Sequence, residues 1–343
     1  MVQLRAAQPR PAIIVVLSLI CYLLSGILMY RLIFCLMALS WGVTTPVNAA
    51  AVNPSTGAEL QLLASVRPIA LMVQELTQNT PVRVTTLLPE GATPHDYALK
   101  PSDLKAIQQA DLLVWLGPQG EPYLDKVAQR AQISLNWESV PGLKTLSLRD
   151  AMHDEDHQPD QQERFGHNSA YDLHFWFNTE NALLLAQAIR EKIVAIRPEL
   201  APSIAQNLEK LNQSLQQQNQ QTRSILSAQG QPFLLAHDAY QYLEAELGIH
   251  SVGAVVLNPD VKPGAKHLME LKQAIGMQKV GCVITGPEVS PALLDKIDSN
   301  PPMIRVGIDP LAWDFEGDGF SLWLASVYVK VVVCTVAGVE EAR

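Results

Sequence analysis

The sequence predicts an α/β protein of two lobes, each built on a mostly parallel sheet flanked by helices, joined by one long rigid helix. Three observations carry that prediction. From Val66 onward, short apolar runs alternate with helical stretches, and "DLLVWLG" (111–117) is nearly uninterrupted, as a strand buried on both faces should be. One long helical stretch, from Pro198 to about Ser227, interrupts the alternation. The alternation then restarts, and repeated strand–helix–strand order is the pattern of parallel sheets with crossover helices.

Taken in order, "VRVTTLLP" (82–89) is rich in β-branched residues and reads as a strand. "PSDLKAIQQA" (101–110) reads as a helix, with Ser102 placed to cap it and Leu104 and Ile107 on one face. "DLLVWLG" is ended by Gly-Pro. "TENALLLAQAIREKIVAI" (179–196) is strongly helical. In the long stretch, Leu200, Ile204, Leu208, Leu211 and Leu215 keep spacings of four and three, and Pro198 and Pro202 sit at the start, where proline is tolerated. Its middle, "QQQNQQ", is polar and should face solvent; Gly230 and Pro232 end it. "PFLLAHD" (232–238), "SVGAVVLN" (251–258), "VGCVITG" (280–286) and "PMIRVGI" (302–308) read as strands. "PGAKHLMELKQAI" (263–275) and "SPALLDKI" (290–297) read as the helices between them. The final "VYVKVVVC" argues strand by its β-branched content and helix by its position. The implied division is an N-terminal lobe over 50–197, a connecting helix over 198–228 and a C-terminal lobe over 229–343.

The front of the chain has a different character. Ala12 to Tyr30 contains no charged residue; Arg31 follows, then a second apolar run from Leu32 to Val43. "TTPVNA" ends in the small-residue pattern Val47-Asn48-Ala49 of a signal-peptide cleavage site. With Met29 as the start, residues 29–49 form a normally proportioned export signal. A membrane-spanning helix over 12–30 is the competing reading. Cys21 lacks the small residue before it that lipidation needs. Cleavage near Ala49 removes Arg5, Arg10 and Arg31 and takes the net charge from −9 to −12. Such a chain is a poor nucleic-acid binder, since phosphate contacts need a basic surface, and is suited to holding cations. Two cysteines remain, Cys282 and Cys334. In an oxidising compartment they either pair or stay as two buried thiols; a bridge would close a loop of about 53 residues, worth roughly 4 kcal/mol by chain entropy.

Ligands of open α/β sheets gather beyond the carboxyl ends of the strands. His95 follows the first strand in "PEGATPHDY", His237 ends "PFLLAH", and Asp309 ends "PMIRVGID". His174, in "YDLHFWF", lies just before the 179–196 helix. Three imidazoles and a carboxylate make a four-coordinate zinc set, although imidazole also suits copper and nickel. Each alone has a simpler explanation: a lone histidine is commonly a loop or capping residue, and Asp309 before Pro310 could start a turn. His250 and His267 have no such placement and read as structural or surface residues. Between the lobe's last strand and His174 lies "HDEDHQPDQQERFGH", which has no apolar periodicity. Its His153, Asp154, Asp156, His157 and His167 make it either a solvated surface loop or a loop that collects metal ions.

The segments "LLPEGATPHDYALKPSDLKAIQQADLLVWLGPQGEPYL", "DLHFW", "FLLAHDAYQYLEAELGI", "LNPDVKPGAKHLMELKQAI" and "GIDPL" resemble the periplasmic zinc-binding proteins of ABC importers, over about Ser65 to Cys334. The resemblance implies Zn²⁺ held between two lobes by His95, His174 and His237, with Asp309 at a carboxylate-ligand position. It also implies a Cys282–Cys334 disulfide and a flexible metal-collecting loop at 153–167. Some members carry Glu immediately before the first histidine; here Pro94 stands there, so Asp309 or water must complete the shell. The expected protein is a periplasmic, monomeric, non-enzymatic carrier that gives zinc to a membrane permease. Protons compete with zinc for imidazoles, so release is expected below about pH 6. Mn²⁺ or Fe²⁺ as cargo is the nearest alternative, though three imidazoles favour zinc. A secreted zinc hydrolase would need an open coordination position and a general base, and no His-Glu-x-x-His helix is present.

Overall fold

Two four-stranded sheets, parallel throughout, carry the architecture. The computed structural model describes residues 59–94, 97–149, 171–258 and 261–337. The first sheet has the order β2-β1-β3-β4, formed by β1 (Leu60–Ala64), β2 (Val82–Thr86), β3 (Leu112–Trp115) and β4 (Ser134–Asn136). Leu62 of β1 lies between Val84 and Leu112 in register. Every residue of β3 is buried, whereas β2, at the edge, alternates between half-buried and exposed. That difference is why the run 111–117 is continuous in the sequence and 82–89 is not. The second sheet has the order β6-β5-β7-β8, from β5 (Leu234–His237), β6 (Ala254–Val256), β7 (Cys282–Thr285) and β8 (Ile304–Gly307).

Helices α1 (Arg67–Leu76), α2 (Pro101–Gln109), α3 (Pro122–Asp125) and α4 (Thr179–Ile196) accompany the first sheet. The second has α6 (Gln241–Leu247), α7 (Ala265–Gln278), α8 (Pro291–Leu294) and α9 (Phe320–Val332). Between them runs α5 (Ala201–Gln229), 29 residues long, preceded by a 3₁₀ turn at Pro198–Leu200; at 1.5 Å per residue it spans about 43 Å. Its Ile204, Leu211, Leu215 and Leu226 are buried. Among the described residues, no helix is long and apolar enough to cross a membrane.

Two local expectations change. Ser102 does not cap α2. Pro101, whose ring presets a helical φ, takes the first helical position, so the cap falls one residue upstream of it on Lys100. There the Asp103 carboxylate accepts the Lys100 N–H at 2.8 Å and the Tyr97 hydroxyl at 2.9 Å. The ambiguous C-terminal run is helical, because Phe320, Trp323, Leu324, Val327, Tyr328 and Val331 form one buried face at spacings of three and four.

The lobes share a core. A single apolar cluster includes Leu62 and Val114 of the first sheet, Leu235 and Ile284 of the second, and buried residues of α1, α4, α5 and α9. Phe177 from the first half packs on Tyr240 and Trp323 of the second, with centroids 5.4 and 5.5 Å apart. Glu75 of α1 accepts the Ser321 N–H (2.8 Å) and hydroxyl (2.6 Å) at the start of α9, a carboxylate placed at the positive end of a helix. Asn178 caps α4 and also donates to Glu246 of α6 at 2.8 Å. Packing of this kind restrains the lobes and leaves little freedom for wide opening.

Candidate metal centre

His237 is the last residue of β5, and its buried ring faces that of His174, centroid to centroid 5.6 Å. His174 belongs to the first lobe and precedes a 3₁₀ turn of three buried aromatics, Phe175–Phe177. Those rings anchor the backbone that presents the imidazole. The Asp172 carboxylate lies 2.7 Å from His174 Nδ1 and also accepts the His174 N–H at 2.9 Å. This contact places the ring proton on Nδ1 and the lone pair on Nε2, the arrangement by which a carboxylate orients a metal-binding histidine. Tyr242, from the second lobe, donates its hydroxyl to the Asp172 carbonyl at 2.8 Å. The support of His174 is thus built by both lobes.

Asp309 lies two residues beyond β8. Its carboxylate accepts the N–H groups of Leu311 (2.8 Å) and Trp313 (2.9 Å), which fold the chain into a tight turn. Ala312 takes a left-handed conformation there, φ 64°, a strained state for a residue with a Cβ. It is held from the other lobe by Arg67, which donates to the carbonyls of Ala312 (2.9 Å) and Phe315 (2.7 Å) and lies over the Trp313 ring. Burial pushes the Asp309 carboxyl up, against those two backbone bonds.

Glu288 is a mostly buried acid of the same strand-end face that the sequence expectation does not include. It follows β7, which pairs with β5 on one side and β8 on the other. Its Oε2 lies 4.0 Å from His237 Nδ1. Burial pushes its carboxyl up to about 7, with the negative charge of Asp309 adding and His174 opposing. A cavity of about 590 Å³ is lined by Glu288 and Asp309 and, from the first lobe, by Glu90–Thr93. Its one local signal, an acid a few residues past a short apolar strand in "VITGPE", is too common to single it out without the neighbouring strands.

His95 lies outside the described residues, as do His153, Asp154, Asp156, His157 and His167. Among the described residues, no three His, Cys, Asp or Glu side chains stand close enough to hold an ion together. The structure brings His174 and His237 together and places Asp309 on the same strand-end face. Of the remaining histidines, His267 bonds to the Ala254 carbonyl at 2.9 Å, a structural contact, and His250 is exposed.

Arg149, immediately before the segment that holds 153–167, reaches across to the second lobe. It lies 3.3 Å from Asp238, pairs with Glu244 and donates to Ser251 at 3.3 Å. Burial raises the Asp238 carboxyl to about 7, with Arg149 opposing. An antiparallel bridge between Ser147 and Tyr171 closes the neck from which that segment departs.

A second buried acid marks the strand-end face of the first lobe. Glu121, fully buried, accepts the Leu116 N–H (2.7 Å) and the Tyr123 hydroxyl (2.9 Å). Burial raises its carboxyl to about 7, those bonds opposing. An acid whose folded-state value exceeds its unfolded one stabilises the fold at low pH, and that stability is lost as pH rises through the folded value. The window here runs from about 4.5 to about 7, and the loss is on the order of 3 kcal/mol. Glu121→Gln should therefore flatten the fall in unfolding free energy between pH 5 and 8 relative to the wild type. Parallel wild-type and variant curves from urea titrations at both pH values would refute the assignment.

Comparison with known proteins adds the context. The model of the periplasmic zinc-uptake complex component A family, ZnuA, matches residues 62–326. The high-affinity zinc uptake system protein ZnuA of Yersinia pestis is 30% identical over 299 residues, spanning 82% of this chain and 93% of that protein. Its counterpart in Haemophilus ducreyi is 32% identical over 282 residues, spanning 78% of this chain and 90% of that protein. Among solved structures, a zinc-bound ZnuA mutant lacking 138–173 superposes with a TM-score of 0.66 at 21% identity, over 81% of this chain and 98% of that one. The periplasmic zinc-binding protein TroA of Treponema pallidum gives 0.65 at 18% identity, over 81% of this chain and 99% of that one. At these identities the likeness to the solved structures establishes the shared fold.

Proposed function

We propose, from the premise that this chain belongs to the ZnuA family of periplasmic zinc-uptake components, that it captures Zn²⁺ in the periplasm and hands it to the membrane permease of an ABC importer. The observation that carries the reading is the meeting of His174 and His237 from opposite lobes, 5.6 Å apart, with Asp172 fixing the first ring. His95 and Asp309 join them in the proposed ligand set. The ion is cargo: it is bound, carried and released, and no bond of a substrate is broken. The carrier works as a monomer, exported by residues 1–49, with Cys282 and Cys334 bridged in that oxidising compartment.

The test is metal content of the mature protein, residues 50–343, offered zinc and manganese in competition at neutral pH. One tightly held zinc per chain is the expected result. Manganese preference would change the cargo and keep the family. Absence of any tight ion would remove the function.

Residues 153–167 act as a collecting loop that binds zinc weakly and passes it to the site. Because the Ser147–Tyr171 bridge closes the neck independently of the loop, deleting 153–167 should leave the tight zinc intact and remove only weakly bound zinc. Equilibrium dialysis of the deletion variant checks this; loss of the tight ion would refute it.

A further inference from the structure

We propose that Glu288 is a second carboxylate ligand of the metal site, entering the coordination shell from the strand that lies between those carrying His237 and Asp309. The proposal rests on the reading of the site as a zinc site. Three observations support it.

The first is topological. In the order β6-β5-β7-β8, the carboxyl end of β7 lies between the end of β5, where His237 sits, and the end of β8, which leads to Asp309. A side chain leaving β7 at that end has the strand-end crevice on either side of it, where ligands of parallel sheets collect. The second is distance. Ligand bonds of about 2.1 Å in a tetrahedral shell put neighbouring donor atoms about 3.4 Å apart. Glu288 Oε2 stands 4.0 Å from His237 Nδ1, so a shift well under an ångström brings both atoms to bonding distance of one ion. The same separation is too long for a hydrogen bond. Binding through Nδ1 of His237 and Nε2 of His174 would follow, since Asp172 occupies Nδ1 of the latter.

The third is the shape of the backbone beneath the carboxylate. Glu288 folds back over Gly286, so closely that a Cβ at 286 would collide with Glu288 Oε2. Glycine here leaves room for the carboxylate beside the backbone, and Gly286, Glu288 and Asp309 line the same cavity. Glu288 is mostly buried, its side chain 15% exposed. When ionised, an acid held inward in this way is favoured by a cation as its counter-charge. With Asp309 also ionised, the two carboxylates would neutralise a divalent ion completely.

The experiment compares wild type, Glu288→Gln, Glu288→Asp and His237→Ala by competition with a zinc chelator, and records the visible d–d spectrum of each protein loaded with Co²⁺. Glu288→Gln keeps shape and removes the anionic oxygen. It should weaken zinc binding about tenfold to a hundredfold and alter the Co²⁺ spectrum, while Glu288→Asp recovers part of both. A weakened affinity with an unchanged Co²⁺ spectrum would overturn ligation, since a residue that only positions His237 leaves the donor set intact. An unchanged affinity in Glu288→Gln, with His237→Ala defective, would overturn the proposal and leave the zinc site standing. No tight zinc in the wild type would bring down the functional reading and this proposal together.

Discussion

His237→Ala should lower zinc affinity by two to three orders of magnitude and leave the metal-free fold intact. A four-ligand zinc site is worth about 10–16 kcal/mol in all, so one ligand accounts for about 2.5–4 kcal/mol, a factor of roughly seventy to nine hundred. The ring ends β5 and is a buried polar side chain, so alanine removes a donor without removing a core apolar group. The check is chelator competition on the variant beside His250→Ala, whose ring is exposed and should be silent. Thermal unfolding without metal should place the two variants within a few degrees of each other. Wild-type affinity in His237→Ala would mean that the imidazole facing His174 is structural, and the transport reading would lose its centre.

The Cys282→Ala/Cys334→Ala double variant should lose about 4 kcal/mol of unfolding free energy, by loop-closure entropy. The bridge joins the first residue of β7 to the turn after α9, 52 residues apart, with the Cα atoms 5.4 Å from one another and both residues buried. It pins the last helix to the second sheet, while Glu75 holds the other end of that helix to the first lobe. Removing the bridge therefore loosens a helix that packs on both lobes. Urea titrations under oxidising conditions measure the difference. A loss under about 1 kcal/mol would show that packing of α9, rather than chain closure, supports this end of the fold.

The legibility of the fold varied with how local its causes were. Helix α4 was readable to the residue because its apolar pattern, its Asn178 cap and the preceding aromatic run all point the same way. The strands were readable as runs but drawn too long by three to five residues, since an apolar residue beyond the last ladder bond, such as Leu88 or Ile308, is buried all the same. The first strand and α1 went unread, because "LQLLASVRPIALMVQEL" is apolar nearly throughout and has no periodicity to separate strand from helix.

The site shows a similar division. Histidines and an acid at strand ends could be picked out one by one, because residue type and the end of an apolar run are both local. Asp172 and Glu288 could not be weighed in the same way. An aspartate two residues before a histidine and a glutamate after a turn are common, and only the neighbours contributed by other strands give them meaning.

By itself the sequence determined the class of fold, the alternation that produces parallel sheets, the long helix between two lobes and the candidate ligands at the strand ends. These follow from short-range regularities: hydrophobic period, proline and glycine punctuation, and residue chemistry. The tertiary structure alone decided that the lobes share one core, that Asp172 orients His174, that Arg67 holds the Asp309 turn from across the lobes, and that β7 places Glu288 between His237 and Asp309. Each of these depends on strand order and on packing between residues far apart in the chain. Hydrophobic pattern says which face is buried; it does not say against what.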